Sequence, residues 1–393
     1  MRHTADAVII GGGCMGASTA YHLAQRGLTN IVLVERESTL GAGSTGRNAG
    51  GVRHQFSHPS NVRLSIESIN SIERFEDDVG YPVDLHQDGY LFLLSTPASV
   101  EVFRRNVTMQ RTLGVEADVI TPQEAARLAP GIQVHDVIAA TFCARDGISD
   151  PNGVTMGFAR RAQERGVEIC RETEVLAIGT DQGHVTSVET SHGIIHTNIV
   201  INAAGPWAKS IGAMVGLDVP IEPHRRHIFL AQPSGSGDGD MPWPEGSVPS
   251  SRILVIDFET TFYFHREGAH VLFGMGDLNE PPTFDTTVQW EFLERVIPVA
   301  TKRLPALGEA QIRRAWAGLY EMTPDAMPII GPTAVSGFYL IAGFSGHGFQ
   351  HSPAAGRVLA DLIVGRDPGE IDLSPFAMNR FSGETVSRER TVV

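Results

Sequence analysis

The chain has 393 residues and a formal net charge of −14, with 42% hydrophobic and 19% charged residues. This is a globular composition with room for one large domain or two interleaved ones, and its acidic balance argues against a nucleic-acid surface or a polybasic membrane anchor. Cys14, Cys143 and Cys170 form no CxxC pair, so neither a disulfide framework nor a metal site is expected. Residues 1–6 lack the basic head and long apolar stretch of a secretory leader, and no apolar run approaches the ~20 residues of a membrane helix. A cytoplasmic enzyme is the expectation.

In chain order, residues 7–10 form a continuous apolar run, as in a parallel strand buried on both faces. Residues 15–26 follow with Ala20, Leu23 and Ala24 on one side, a helix packed on a sheet, and Gly27 stops it. Residues 31–34 are a second buried strand ending at Glu35. A second α/β block begins after Asp150: a helix over 154–165, strands over 167–170 and 174–178, a hairpin to 198, and a buried strand over 199–203. Between these blocks, and from about 221 to 317, strands and turns mix, with an exposed Gly/Pro/Ser-rich loop over 232–251. The end returns to α/β with a strand over 338–342, a glycine turn over 343–348 and a helix over 353–364. The last dozen residues read as frayed.

Gly11, Gly13 and Gly16 fit GxGxxG, and the match gains weight because a buried strand ends before it and a helix opens within it. Gly11 permits the tight turn, Gly13 lets backbone approach a pyrophosphate, and Gly16 allows close helix–strand packing. The phosphates would rest on free N–H groups at the helix N-terminus, with Cys14 and Met15 alongside. Glu35 stands where a carboxylate accepts from the ribose hydroxyls of the adenosine, which disfavours a 2′-phosphate; Arg36 adjoins it.

Three further segments favour FAD over NAD. Residues 41–53 read GAGSTGRNAGGVR, small residues that let the chain pass a large planar ring, with Ser44, Thr45 and Asn48 as donors and Arg47, Ala49 and Gly50 beside them. After the strand over 199–203, Ala203, Ala204, Gly205 and Trp207 let backbone approach from the opposite side, with Val175 on an earlier strand. Last, Gly346, His347, Gly348, Phe349 and Gln350 precede a helix whose N-terminus would face the pyrimidine edge of a flavin, favouring the negative charge that develops there on reduction.

With VIIGGGCMG, LVER, GSTGRNAGGVR, INAAGPW, TPDAMPIIGP and GFSGHGF in this order, the chain resembles the D-amino acid oxidase-like (DAO) flavoenzymes, closest to the sarcosine oxidase, glycine oxidase and proline dehydrogenase β-subunit branch. The resemblance covers nearly the whole chain. It implies an α/β fold in which a Rossmann-type FAD-binding domain (1–84, 146–220 and 318–393) interleaves with a substrate domain on a large mixed β-sheet (85–145 and 221–317). It also implies oxidation of a carbon–nitrogen bond by hydride transfer to flavin, followed by hydrolysis of the imine. Reoxidation falls to oxygen or to another electron acceptor, which leaves open a homo-oligomer or a partner subunit that takes the electrons. Gly318 stands where the monomeric sarcosine oxidases attach FAD through cysteine, so non-covalent FAD is expected. Residues 269–276 lack the lysine that helps those oxidases use oxygen, and Gln350 replaces a lysine that helps bind the substrate carboxylate. A 2-hydroxy acid oxidoreductase would share scaffold and clamp.

A substrate of this kind needs a fixed carboxylate. Arg53 is the expected clamp, because a guanidinium pairs with it in bidentate fashion; Arg47 serves as a second choice or contacts the cofactor. His54, His347 and Gln350 are expected near substrate or flavin. Tyr263 and His265 fall in an expected strand over 261–266, a position that suits sheet or pocket equally.

Overall fold

The computed structural model describes every residue except 238, 240, 278, 384–387 and 393. Two sheets organise it. The first has the order Ile329–Pro332, Phe338–Ala342, Val200–Asn202, Ala7–Ile10, Ile31–Val34, Glu168–Cys170. All its neighbours run parallel except the Ile329–Pro332 edge. Its central strands are buried on both faces, which explains their unbroken Val/Ile/Leu runs. One face is covered by the helices Cys14–Gln25, Pro151–Glu164 and Gly348–Ile363, and the other by the antiparallel hairpin layer Val175–Asp181, His184–Thr190 and Gly193–His196.

The expected strands over 7–10, 31–34 and 338–342 match in full, and the helices over 15–26 and 154–165 are offset by a few residues. The last long helix starts at Gly348, five residues before the expected start at Pro353. Proline sits comfortably near a helix start, but here Phe349, Gln350, His351 and Ser352 are already buried, and packing extends the helix across it. This helix lies against Cys14–Gln25 at Gly356, where a Cβ would come within 2.2 Å of Ser18 Oγ; the Ser18 hydroxyl donates to Ser352 O at 2.7 Å.

The second sheet runs Ala310–Met322, Glu222–Pro233, His270–Met275, Phe262–Glu267, Leu254–Asp257, Tyr90–Leu94, Ala139–Cys143, Ala117–Ile120. It is antiparallel except where Leu254–Asp257 lies parallel to Tyr90–Leu94. The helix Trp290–Arg303 covers one face, packed on Phe229, Phe264 and Phe273. Beneath that helix Arg303, 1% exposed, is held by Asp257 and Asp136. The opposite face looks toward the first sheet. The expected loop over 232–251 is shorter than read, since Gln232 and Pro233 end a strand and Trp243 and Val248 are buried; its residues 238 and 240 lie outside the described residues.

The chain end corrects a second expectation. Residues 384–387 and 393 lie outside the described set, but Glu389 and Thr391 are buried rather than frayed. Glu389 accepts from Ser57 N (2.9 Å), His58 N (3.1 Å), Asn61 Nδ2 (2.9 Å) and Thr391 Oγ1 (2.7 Å). Burial raises its pKa, but the bonds from Ser57, Asn61 and Thr391 outweigh that and hold the carboxylate below its ordinary range.

Candidate functional site

Between the two sheets lies a cavity of about 570 Å³. Its wall joins segments from the beginning, middle and end of the chain. Glu35, Arg36, Val175 and Trp207 line it, with Gly11, Gly13, Cys14, Met15, Ala203, Ala204 and Gly205, most of the turn over 44–53, and the turn over 345–350.

The first glycine turn is built by steric necessity. Gly11 has φ +109°, and a Cβ there would lie 2.4 Å from Ala203 O. At Gly16 a Cβ would meet Gly11 O at 1.9 Å, so this residue packs helix against strand and stays off the cavity wall. The helix Cys14–Gln25 has no side-chain cap at Gly13; Cys14 N donates instead to Thr45 Oγ1 at 3.2 Å, and Gly13, Cys14 and Met15 line the cavity. The helix Gly348–Ile363 likewise lacks a side-chain cap. The N-termini of two long helices, neither capped by the side chain of its own N-cap residue, meet at one cavity and supply the positive dipole ends that a pyrophosphate and an electron-accepting ring require. Glu35 Oε2 accepts from Gly12 N at 2.7 Å and Oε1 from Glu37 N at 2.9 Å, which aims the carboxylate at the part of the cavity where a ribose would sit. The residues present therefore fit FAD.

The second turn is stitched to the large sheet. Ser44 Oγ donates to Leu319 O (2.7 Å), Arg47 Nη1 donates to Ala317 O (2.9 Å) and Trp316 Nε1 donates to Arg47 O (3.1 Å). At Gly318 a Cβ would be 3.0 Å from Arg47 Cβ, so any larger residue would press on this turn. Asn48 serves the turn itself, donating to Thr45 O and accepting from Gly50 N, both at 2.6 Å. Gly50, at φ +74°, turns the chain over Ser149 O and is not on the wall.

The expected substrate residues divide. Gln350, His347 and Tyr263 line the cavity. Gln350 Oε1 accepts from Arg53 N at 2.6 Å. His347 contacts Ala326 O through Nε2 (3.1 Å) and His351 Nδ1 through Nδ1 (3.2 Å), and burial lowers its pKa to about 4, so it is a neutral ring with both nitrogens engaged. His54 does not reach the cavity: its backbone N and Nδ1 both bond Asp146 Oδ1, at 2.8 and 2.6 Å, on the far side of the short strand Gly51–Val52. His54, Cys143 and Asp146 cluster there, buried. His265 also stays off the wall; its Nε2 meets Ala49 O at 3.1 Å and ties the large sheet to the second turn.

Arg53 reaches the wall but not as a free clamp. Its Nη1 donates to Gln55 O and to Thr391 Oγ1 (3.2 Å), its Nη2 donates to Thr391 O (2.8 Å), and the guanidinium lies 3.8 Å over the Phe56 ring. The docked chain end, read as frayed from composition, occupies the donors that the sequence reserved for a carboxylate.

Residues not singled out from sequence complete the site beside Tyr263, which was. The face of the large sheet that floors the cavity carries Arg226 and Ile228, Leu254 and Ile256, and the rings of Tyr90, Tyr263 and Tyr320. Register places them together: Arg226 opposes Gly318, Ile228 opposes Gly274, Gly274 opposes Tyr263, Tyr263 opposes Ile256, and Leu254 opposes Tyr90. Each tyrosine lies over a glycine. A Cβ would fall 2.7 Å from Tyr90 Oη at Gly51, 2.5 Å from Tyr263 Oη at Gly274 and 2.2 Å from Tyr320 Cε2 at Gly346. Burial raises the pKa of all three phenols, so they act as neutral hydrogen-bonding groups. Glu321 adjoins them. Its Oε1 accepts from Phe344 N at 3.2 Å and its buried Oε2 has no partner among the described residues. Burial raises its pKa to about 7, against the opposing pull of the Phe344 and Gly343 amides. The signal for these residues was the period-2 alternation of the strands, which becomes informative only once one face is known to floor a cavity.

The family model described as FAD dependent oxidoreductase (DAO) matches residues 6–362. Among characterised sequences, the FAD-dependent oxidoreductase domain-containing protein 1 of Xenopus laevis is 31% identical over 99% of this chain and 85% of its own. The mitochondrial dimethylglycine dehydrogenase of Homo sapiens is 30% identical over 98% of this chain but only 45% of its own length. Among solved structures, the L-proline dehydrogenase of P. horikoshii superposes with a TM-score of 0.89 at 34% identity, covering 98% of this chain and all of that one. The glycine oxidase of Geobacillus kaustophilus shares the fold, with a TM-score of 0.83 at 24% identity over 98% of this chain and 100% of that one. Matched over most of its length, with a cavity whose donors suit the dinucleotide, the chain belongs to the FAD-dependent oxidoreductase (DAO) family.

Proposed function

We propose that this enzyme oxidises the carbon–nitrogen bond of a small, carboxylate-bearing amine, glycine-, sarcosine- or proline-like, to an imine that hydrolyses. The observation that carries the reading is one cavity that joins a dinucleotide-shaped donor array to a polar, cation-bearing floor. FAD, bound without a covalent link, supplies the acceptor for the hydride equivalent. The chain orients the substrate: the floor of the large sheet holds it, and neutral Tyr263 and Tyr320 offer hydrogen bonds without acting as bases. Gln350 and His347, on the opposite wall, contact cofactor or substrate. Residues 1–84, 146–220 and 318–393 form the cofactor lobe in this reading, and 85–145 and 221–317 the substrate lobe. Names of the relatives, an L-proline dehydrogenase and a dimethylglycine dehydrogenase, support an amino acid or N-substituted glycine.

The test is spectroscopic. Purified protein should be yellow, and anaerobic addition of sarcosine, glycine or proline should bleach it. Bleaching by 2-hydroxy acids alone would move the substrate to that class, and a preparation unable to take up flavin would end the proposal. Acid precipitation should leave a white pellet; flavin retained in the pellet would show a covalent link.

A further inference from the structure

We propose that Arg226, not Arg53, is the residue that grips the substrate carboxylate. This assignment rests on the carboxylate-bearing substrate proposed above and names the group that recognises it.

The side chains of Arg36, Arg47, Arg53 and Arg226 line the cavity; that of Arg36 lies over the Trp207 ring, and that of Arg47 donates to Ala42 O and Ala317 O. That of Arg53 spends three of its five N–H groups on Gln55 and Thr391 and is stacked on Phe56. Arg226 keeps more of its donors uncommitted. Its Nη1 donates to Arg225 O at 2.9 Å, but its buried Nε has no hydrogen-bond partner among the described residues. Among the described residues no carboxylate pairs with it, whereas its neighbour Arg225, facing the other side of the strand, is satisfied by Glu280 and Asp285. A guanidinium on a cavity wall with most of its N–H groups unspent is a ready partner for an anion.

The surroundings define what that anion carries. Arg226 lies beside the Tyr320 ring, 5.0 Å from its centroid, on the same sheet face as Tyr263. Ile228, Leu254 and Ile256 form the adjoining wall. The site therefore suits a carboxylate on a short, weakly polar body, with room for a ring or a small aliphatic group.

The experiment uses the oxidised holoenzyme and propionate, a carboxylate with no amine to oxidise, with propylamine as its carboxylate-free counterpart. Titration should perturb the visible flavin band in the wild type. Arg226→Ala and Arg226→Gln should weaken propionate binding by about 30-fold or more, with Arg226→Lys intermediate, as expected for loss of a buried charge-assisted pair. Propylamine binding should be unchanged. Unaltered propionate affinity in yellow, folded Arg226→Gln protein overturns the assignment. Should the variants fail to hold flavin, phenylglyoxal labelling of the wild type with peptide mapping decides instead: propionate should protect Arg226, and protection confined to Arg53 overturns it. Colourless wild-type protein, or flavin bleached equally well by carboxylate-free amines, strikes the broader functional reading, so the two failures are distinguishable.

Discussion

Glu321 presents one carboxyl oxygen to backbone amides and the other to no partner among the described residues, inside the cavity. Because burial raises its folded pKa to about 7, the folded state holds this proton over a range in which the unfolded chain has released it. Stability therefore falls as pH rises from the ordinary glutamate range to about 7, and levels off above. The expected outcome is that Glu321→Gln flattens this part of the apoprotein's pH–stability profile; an unchanged slope in urea unfolding would show that the carboxyl is solvated. Cys14, a few residues from the turn's apex, is pushed by burial to about 11, so it should resist alkylation at pH 8 in the folded protein, and rapid labelling would show it to be exposed.

At the scale of elements, the strand–turn–helix unit tolerates no side chain at Gly16, since the new Cβ would overlap Gly11 O. Gly16→Ala should destabilise the protein by about 1–3 kcal/mol and lower the ratio of flavin to protein absorbance. A fully yellow variant with wild-type Tm would show the turn to be more pliant than drawn. The chain end is the second element with energetic weight. Glu389→Gln removes the charge from a buried group that accepts several hydrogen bonds and should cost about 1–3 kcal/mol. The folded pKa is depressed, so the stabilisation is present above the ordinary glutamate value and lost as pH falls through the folded one. The gap between wild type and variant should accordingly close in acid; a constant gap would assign the effect to packing.

Across the whole molecule, the cavity is made where two sheets and three separated turns meet, so ligand binding and tertiary stability are coupled. FAD added to apoprotein at a hundredfold excess over its Kd should raise stability by about 2.7 kcal/mol, visible as a higher Tm. Adenosine monophosphate should do less, because it reaches only the part lined by Glu35 and Trp207. Equal shifts would mean that the ring end of the cavity contributes nothing.

Local chemistry sufficed for what is covalently near. Residues 7–10, 31–34 and 338–342 announce themselves as strands because a strand buried on both faces is apolar without interruption, and Gly11, Gly13 and Gly16 are required by close contacts within one short unit. The sequence by itself thus determined the cofactor unit and the family pattern. Tertiary structure alone decided which arginine keeps more of its donors uncommitted. Arg53 stands in the expected motif, but a segment more than 330 positions away takes up some of its donors. Arg226 looks like one of two adjacent strand arginines until sheet register and an unpartnered nitrogen set it apart. Donor saturation is a property of neighbours in space, and composition along the chain carries no record of it.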